Sequence, residues 1–160
     1  MEVSPYYEAD LGLYFTGRPL ELALYEGLFR AMDTAFPNGR VKVQKSQISF
    51  YGRHLFAAAA LPVRRKKDWP EHCLLVTFGL EYPLSSPRIA VATEPYPNRW
   101  THHVVVARPE DVDGELLGWL DTTPLITHTY PLEKIEEAYR LFESHADGVM
   151  KVAIACAGVP

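Results

Sequence analysis

The sequence predicts an α+β domain built on a curved antiparallel sheet of about four to six strands, with helices packed mainly on one face. Two observations carry this. Short apolar runs bounded by Gly, Pro and charged turns fill the middle of the chain, between Val41 and Ala107. Patterns of helical period flank them on either side. The chain has 160 residues, 48% of them hydrophobic, enough to bury one continuous core.

Taken in order, Ser4 and Pro5 supply an N-cap and a first-turn proline, predicting a short helix to about Phe15. Thr16-Gly17-Arg18-Pro19 restarts the chain. Leu20, Leu24, Leu28, Met32 and Ala35 then recur at helical spacing, widened by Leu22, Tyr25 and Phe29, and Asn38-Gly39 ends the Pro19 to Phe36 helix.

Strands are expected at Val41 to Tyr51, Leu55 to Leu61, Cys73 to Leu80, Arg88 to Thr93 and Thr101 to Ala107. Within the first, Val41 and Val43 sit on odd positions and Ile48 and Phe50 on even ones. A strict period-two strand cannot bury both pairs on one face, so a β-bulge is expected near Lys45-Ser46. Small side chains on both faces of Leu55 to Leu61 suit a central, covered strand, with Cys73 to Leu80 as its central neighbour.

A helix follows at Glu110 to Leu120, its first-turn acids placed where the helix dipole favours them. The acids Glu110, Asp111, Asp113 and Glu115 also form the sort of ridge a metal chaperone would need, but helix-start acids account for them as well. Pro131 opens a last helix with Leu132, Ile135, Ala138, Tyr139 and Phe142 as its apolar stripe; Gly148 closes it, and Val149 to Ala155 reads as a final strand.

Sixteen basic residues against twenty acidic ones give a net charge of −4, which offers no reason to expect a dedicated nucleic-acid binder. The run Arg64, Arg65, Lys66, Lys67 beside Trp69 supports nucleic-acid contact only weakly, since such a loop is ordinarily just solvated. The N-terminus lacks the pattern of a secretion signal and no stretch reaches the length of a membrane span, so a soluble, cytoplasmic protein is expected. Cys73 and Cys156 both lie in apolar strand-like runs and read as buried, reduced thiols.

The chemistry concentrates in Pro97-Asn98-Arg99-Trp100-Thr101-His102-His103-Val104. Alternation sends His102 and His103 to opposite faces, so the pair cannot ligate one metal without distortion. The plain reading makes one a hydrogen-bonded core histidine and the other a solvent- or helix-end-facing one. The functional reading gathers Lys45, Ser46, Gln47, Ser49, Arg99, Trp100 and one of His102 or His103 into a polar pocket, with Lys45 and Arg99 binding an anion. Its occupant would be a small anionic ligand or a protein partner. The alternative is a small enzyme with a histidine acid or base and Lys45 and Arg99 as electrostatic partners. None of the six histidines pairs with a carboxylate at ligand spacing, and no phosphate-loop, nucleophile-elbow or dinucleotide glycine pattern occurs, so no metal or cofactor is expected.

The strings LYEGLF, KSQISFYGRHLFA, CLLVTFGL, SPRI, EPYPNRWTHHVVV and PEDVDGELLGWL resemble a small bacterial family known as domain of unknown function 5655, over roughly residues 1 to 120. The resemblance implies an α+β domain and brings no catalytic roles. About residues 120 to 155, LDTTPLITHTYPLEKIEEAYRLFES onward, are similar to the extreme C-terminus of zinc-type medium-chain alcohol dehydrogenases, so 121 to 160 is expected to be an appended segment. That resemblance implies an appended helix and strand without catalytic residues. The chain has neither the cofactor glycines nor the zinc ligands, so dehydrogenase activity is not expected.

Overall fold

Between Arg40 and Tyr51 the chain folds as an antiparallel hairpin, not as one bulged strand. In the computed structural model, which describes residues 1–121, 128–144 and 152–155, β1 is Arg40–Val43 and β2 is Ile48–Tyr51. Val41 lies opposite Phe50 and Val43 opposite Ile48, and the Gln44 N–H donates to the Gln47 carbonyl at 2.9 Å to close the turn. Residues facing each other across an antiparallel pair share a side of the sheet. The switch from odd to even positions is therefore the signature of the hairpin, and the bulge expected near Lys45-Ser46 is absent.

A register shift does occur one strand further on. β3, Leu55–Ala60, pairs with β2 so that Phe50 faces Ala57 while Tyr51 faces Leu55. Phe56 is the extra residue, and its ring meets Phe36 with centroids 5.1 Å apart.

The sheet is completed by β4 (Leu74–Leu80), β5 (Ile89–Tyr96) and β6 (Arg99–Val106) in the order β1-β2-β3-β4-β6-β5. Every neighbouring pair is antiparallel, and the sheet is only weakly curved. β3 and β4 hold the centre, as their small and apolar side chains predict. The connection from Glu81 to Arg88 skips one strand position, which β6 fills after the turn at Pro97-Asn98. Asn98 takes φ 57°, a left-handed conformation that asparagine tolerates, and its N–H donates to the Glu94 carboxylate at 2.9 Å. The Arg99–Val106 strand thus starts earlier than the sequence suggests and includes Arg99 and Trp100.

One face of the sheet carries α1 (Tyr7–Tyr14), α2 (Pro19–Ala35) and α3 (Gly114–Leu120). Ile48, Phe50, Ala57, Ala59, alternate residues of β4, Val104 and Val106 form a single buried cluster with Tyr7, Leu11, Phe15, Tyr25, Leu28, Met32, Leu116 and Leu120. Tyr7 and Tyr25 share a hydrogen bond of 2.7 Å between their hydroxyls, and burial pushes the Tyr7 phenol up to about 12.

Three helical expectations shift. α1 begins at Tyr7, whose N–H donates to the Ser4 carbonyl; the Ser4 side chain caps nothing. The α2 stripe is rotated toward Glu21, which is buried, and away from Leu20, which is exposed. Before α3, Pro109–Asp111 forms a separate one-turn 3-10 helix, and Asp113 caps α3 by accepting the Leu116 N–H at 2.9 Å.

Residues Asp121–Pro160 form a second compact unit. Its described parts are β7 (His128–Pro131), α4 (Ile135–Ser144) and β8 (Val152–Ala155), with β7 and β8 paired in parallel. β7 is a strand the sequence reading missed, because THTYP offers only one and a half alternations before proline. Of the expected stripe, Ala138 is buried, but Leu132, Tyr139 and Phe142 are exposed. Gly148, residues 149–151, His145 and Cys156 lie outside the described residues. Among the described residues, no helix is long and apolar enough to cross a membrane.

Candidate functional site

The register lines up Lys42, Ser49, Ala58, Thr77, His103 and Val91 across the whole sheet. The adjacent line is Val43, Ile48, Ala59, Val76, Val104 and Ile89, and it belongs to the core side. Because successive side chains alternate, the first line occupies the face turned away from α1, α2 and α3. Ser49, Ala58, Thr77 and His103 make its middle small and polar, flanked by Leu75, Val91 and Val105.

On it, Ser49 is fully buried within a short polar chain. The Gln47 amide donates to Ser49 Oγ at 2.9 Å, and Ser49 Oγ donates to Gln44 Oε1 at 2.7 Å. Lys45 and Ser46 are exposed at the tip of the β1-β2 turn. Tyr14 anchors this turn: its hydroxyl donates to the Ser46 carbonyl at 3.2 Å and accepts the Leu61 N–H at 3.1 Å. Burial raises the Tyr14 pKa.

The two histidines separate as alternation requires. His103 is half-buried on the face turned away from α1, α2 and α3, with Nδ1 2.8 Å from Thr77 Oγ1, and burial lowers its pKa. His102 is fully buried on the opposite face. Its Nε2 accepts the Leu84 N–H at 2.9 Å, and its ring stacks on Phe78 at 5.3 Å and Trp100 at 6.5 Å. Burial, with His103 alongside, lowers its pKa too. An accepting Nε2 puts the neutral ring's proton on Nδ1, which is buried and has no hydrogen-bond partner among the described residues.

Lys45 and Arg99 do not meet. Arg99 lies five positions before Val104 (104 − 99), about 17 Å along the strand from the Ile48-Ala59-Val76-Val104 line, while Lys45 lies beyond Ile48 in the opposite direction. The expected pocket shared by Lys45, Arg99 and one histidine is therefore not formed: these cations mark opposite ends of the sheet. Ser49, Gln47 and His103 do share a face, with Ala58 and Thr77 between them.

The basic run lies in the exposed β3-β4 loop, where Arg65 donates to the Trp69 carbonyl at 2.7 Å. Lys66 donates to the Ala90 carbonyl at 3.2 Å and lies 5.5 Å over the Trp69 ring, so both side chains brace the loop. The acidic ridge is likewise engaged. Arg88 pairs with Asp113 and with Glu115, each at 2.8 Å, and Asp111 accepts the Ala107 and Arg108 N–H groups at 2.9 Å. Among the described residues, no three His, Cys, Asp or Glu side chains are grouped to hold a metal.

Two features escaped the sequence reading. At the β1 corner, a cavity of about 500 Å³ is lined by Glu2, Val3, Ser4, Pro5, Arg40, Val41, Lys42 and Tyr51. Its signal was the alternation of Arg40 and Lys42, which the adjacent apolar Val41 and Val43 obscured. On the helical side, Glu21 is buried and contacts Arg18 Nη1 at 3.2 Å and His72 Nδ1 at 3.3 Å. Burial alone would raise its pKa; its own backbone N–H, His72 and Arg18 outweigh that and hold it below the usual carboxylate range. The Arg18 and Glu21 spacing is legible, but His72 lies 51 residues away.

No curated protein and no solved structure gives a significant match to this chain. One sequence family does, over residues 13–141. The match runs past Leu120 through β7 and into α4, so the family pattern does not stop where the appended segment was expected to begin. By this match, over most of its length, the chain belongs to the family described as domain of unknown function, DUF5655.

Proposed function

We propose that this chain is a binding module that receives an anionic ligand on the face of its six-stranded sheet turned away from α1, α2 and α3. The cations of β1 support the reading: Arg40 and Lys42 stand on that face with no carboxylate within ion-pair distance among the described residues, and Lys42 leads into the line Ser49, Ala58, Thr77, His103. A protein partner is the competing occupant. The test is thermal unfolding across a panel of acetate, sulfate and phosphate at matched ionic strength, with choline chloride as the cation control. Binding to the native state raises the transition temperature with ligand concentration. The reading predicts a saturable rise with at least one anion, and equal transitions across the panel would count against it.

A second reading, acid–base catalysis, draws on one observation. Thr77 occupies His103 Nδ1, which fixes the ring and leaves Nε2 to a ligand, and burial keeps the imidazole neutral near pH 7. Equal hydrolysis of p-nitrophenyl esters by the parent and His103→Gln would dismiss this reading.

A further inference from the structure

Taking the face turned away from α1, α2 and α3 as the binding face, we infer that the cup at the β1 corner is a site for a phosphate monoester carrying an apolar body. The cup exists because the N-terminal segment pairs with β1 only once. Glu2 donates its N–H to the Gly39 carbonyl at 2.8 Å and accepts the Val41 N–H at 2.9 Å. Pro5 has no N–H with which to continue a ladder, and the chain turns into α1 at Tyr7. Val3 to Pro5 therefore diverge from β1 and leave the cavity of about 500 Å³, a volume suited to a small organic molecule.

Two cations line it from one strand. Arg40 and Lys42 are two positions apart, which puts them on the same side with Cα atoms about 7 Å apart. Like charges so placed repel. Neither has a carboxylate within ion-pair distance among the described residues, whereas Arg18, Arg88 and Arg108 each do. The Arg40 guanidinium lies 6.0 Å from the centre of the Tyr51 ring, which orients its donors, and Lys42 faces Ser49 in the line that leads to His103. A phosphate monoester carries close to two negative charges near neutral pH and accepts hydrogen bonds from both a guanidinium fork and an ammonium. A carboxylate would neutralise only one of the two cations.

The remaining walls specify the rest of the molecule. Val3, Pro5 and the Tyr51 ring present apolar surface to the cavity. Glu2 is bridged to Arg40 through its backbone but forms no ion pair with it. Its carboxylate opposes an anion in the cup and weakens binding.

The test is calorimetry on the full chain with phenyl phosphate as the probe, and with inorganic phosphate and benzoate for comparison. Phenyl phosphate should bind more tightly than either. Arg40→Ala and Lys42→Ala should each weaken it about tenfold or more, Glu2→Gln should tighten it several-fold, and His103→Ala should change it less than about twofold. Unchanged binding in both cation variants overturns the cup. If those variants still bind and His103→Ala does not, the binding face stands and only the cup falls. Inorganic phosphate binding as tightly as phenyl phosphate overturns the apolar body, and no heat with any of the three anions overturns both the cup and the anion-binding face.

Discussion

The Leu84 N–H donates to His102 Nε2 at 2.9 Å, across the middle of the connection that carries the chain from β4 to β5. That connection must skip the position taken by β6, so its backbone cannot join the ladder, and a side chain of β6 itself supplies the missing acceptor. Stacked on Phe78 and fully buried, His102 is a core residue that holds a topological crossing together.

His102→Ala removes both the ring and the acceptor. The expected loss is about 2–4 kcal/mol, mostly from the cavity, with a part from the half-buried Leu84 N–H left without its acceptor. For a chain of this size that lowers the transition by about 5–15 °C. A thermal melt within about 2 °C of the parent would show that the crossing does not depend on this bond.

Acid should unfold the protein by way of its histidines. Burial lowers the pKa of both His102 and His103 below the ordinary 6.5, so the unfolded chain takes up these protons before the folded one does. Their contribution to stability is present above that value and is lost as the pH falls from it through the lowered native pKa values. Denaturant titrations across this range should show the decline, and His102→Phe should flatten part of it. The same slope in parent and variant would assign the acid sensitivity elsewhere.

Glu21 offers a test of a costly residue. It occupies a position on the buried stripe of α2, and its partners Arg18 and His72 are both about half exposed, so removing the carboxylate leaves no buried charge behind. Glu21→Leu should leave stability unchanged or raise it by about 1 kcal/mol or more at neutral pH. It should also free His72, visible as an altered imidazole resonance. A loss of about 2 kcal/mol or more would show that the paired carboxylate itself stabilises α2.

Among the described residues, the continuous core cluster runs from Tyr7 to Leu120. A protein ending at Leu120 should keep a cooperative thermal transition, because it retains that cluster and the whole first compact unit. A broad transition with dye-binding apolar surface would make the second unit integral.

Much of this was legible because period two is a strict rule. Tandem histidines had to part, and His102 and His103 do; small residues at Leu55 to Leu61 had to be covered, and β3 is central. The β1-β2 hairpin was not legible, since a bulge and an even-length turn produce the same change of parity and Gln44 to Gln47 contains no Gly, Pro or Asn to announce a turn. The separation of Lys45 from Arg99 followed from that error: a single bulged strand carries no information about which end of the sheet Lys45 occupies. Glu21 was passed over because a helical stripe drawn through Leu20 and Leu24 assigns a carboxylate to solvent. Its rotation into the core depends on Arg18 and His72, and the His72 contact is purely tertiary.

His102 and His103 are neighbours in sequence on opposite faces of one strand, so each serves as the other's control. The central claim is most directly tested by following their imidazole C–H resonances, with those of the Tyr51 ring, during titration of the protein with phenyl phosphate at constant pH and ionic strength. Binding on the face turned away from α1, α2 and α3 predicts saturable shifts at Tyr51, a smaller shift at His103 further along the same face, and His102 unmoved. Shifts at His102 alone, or none at any of the three, would contradict it.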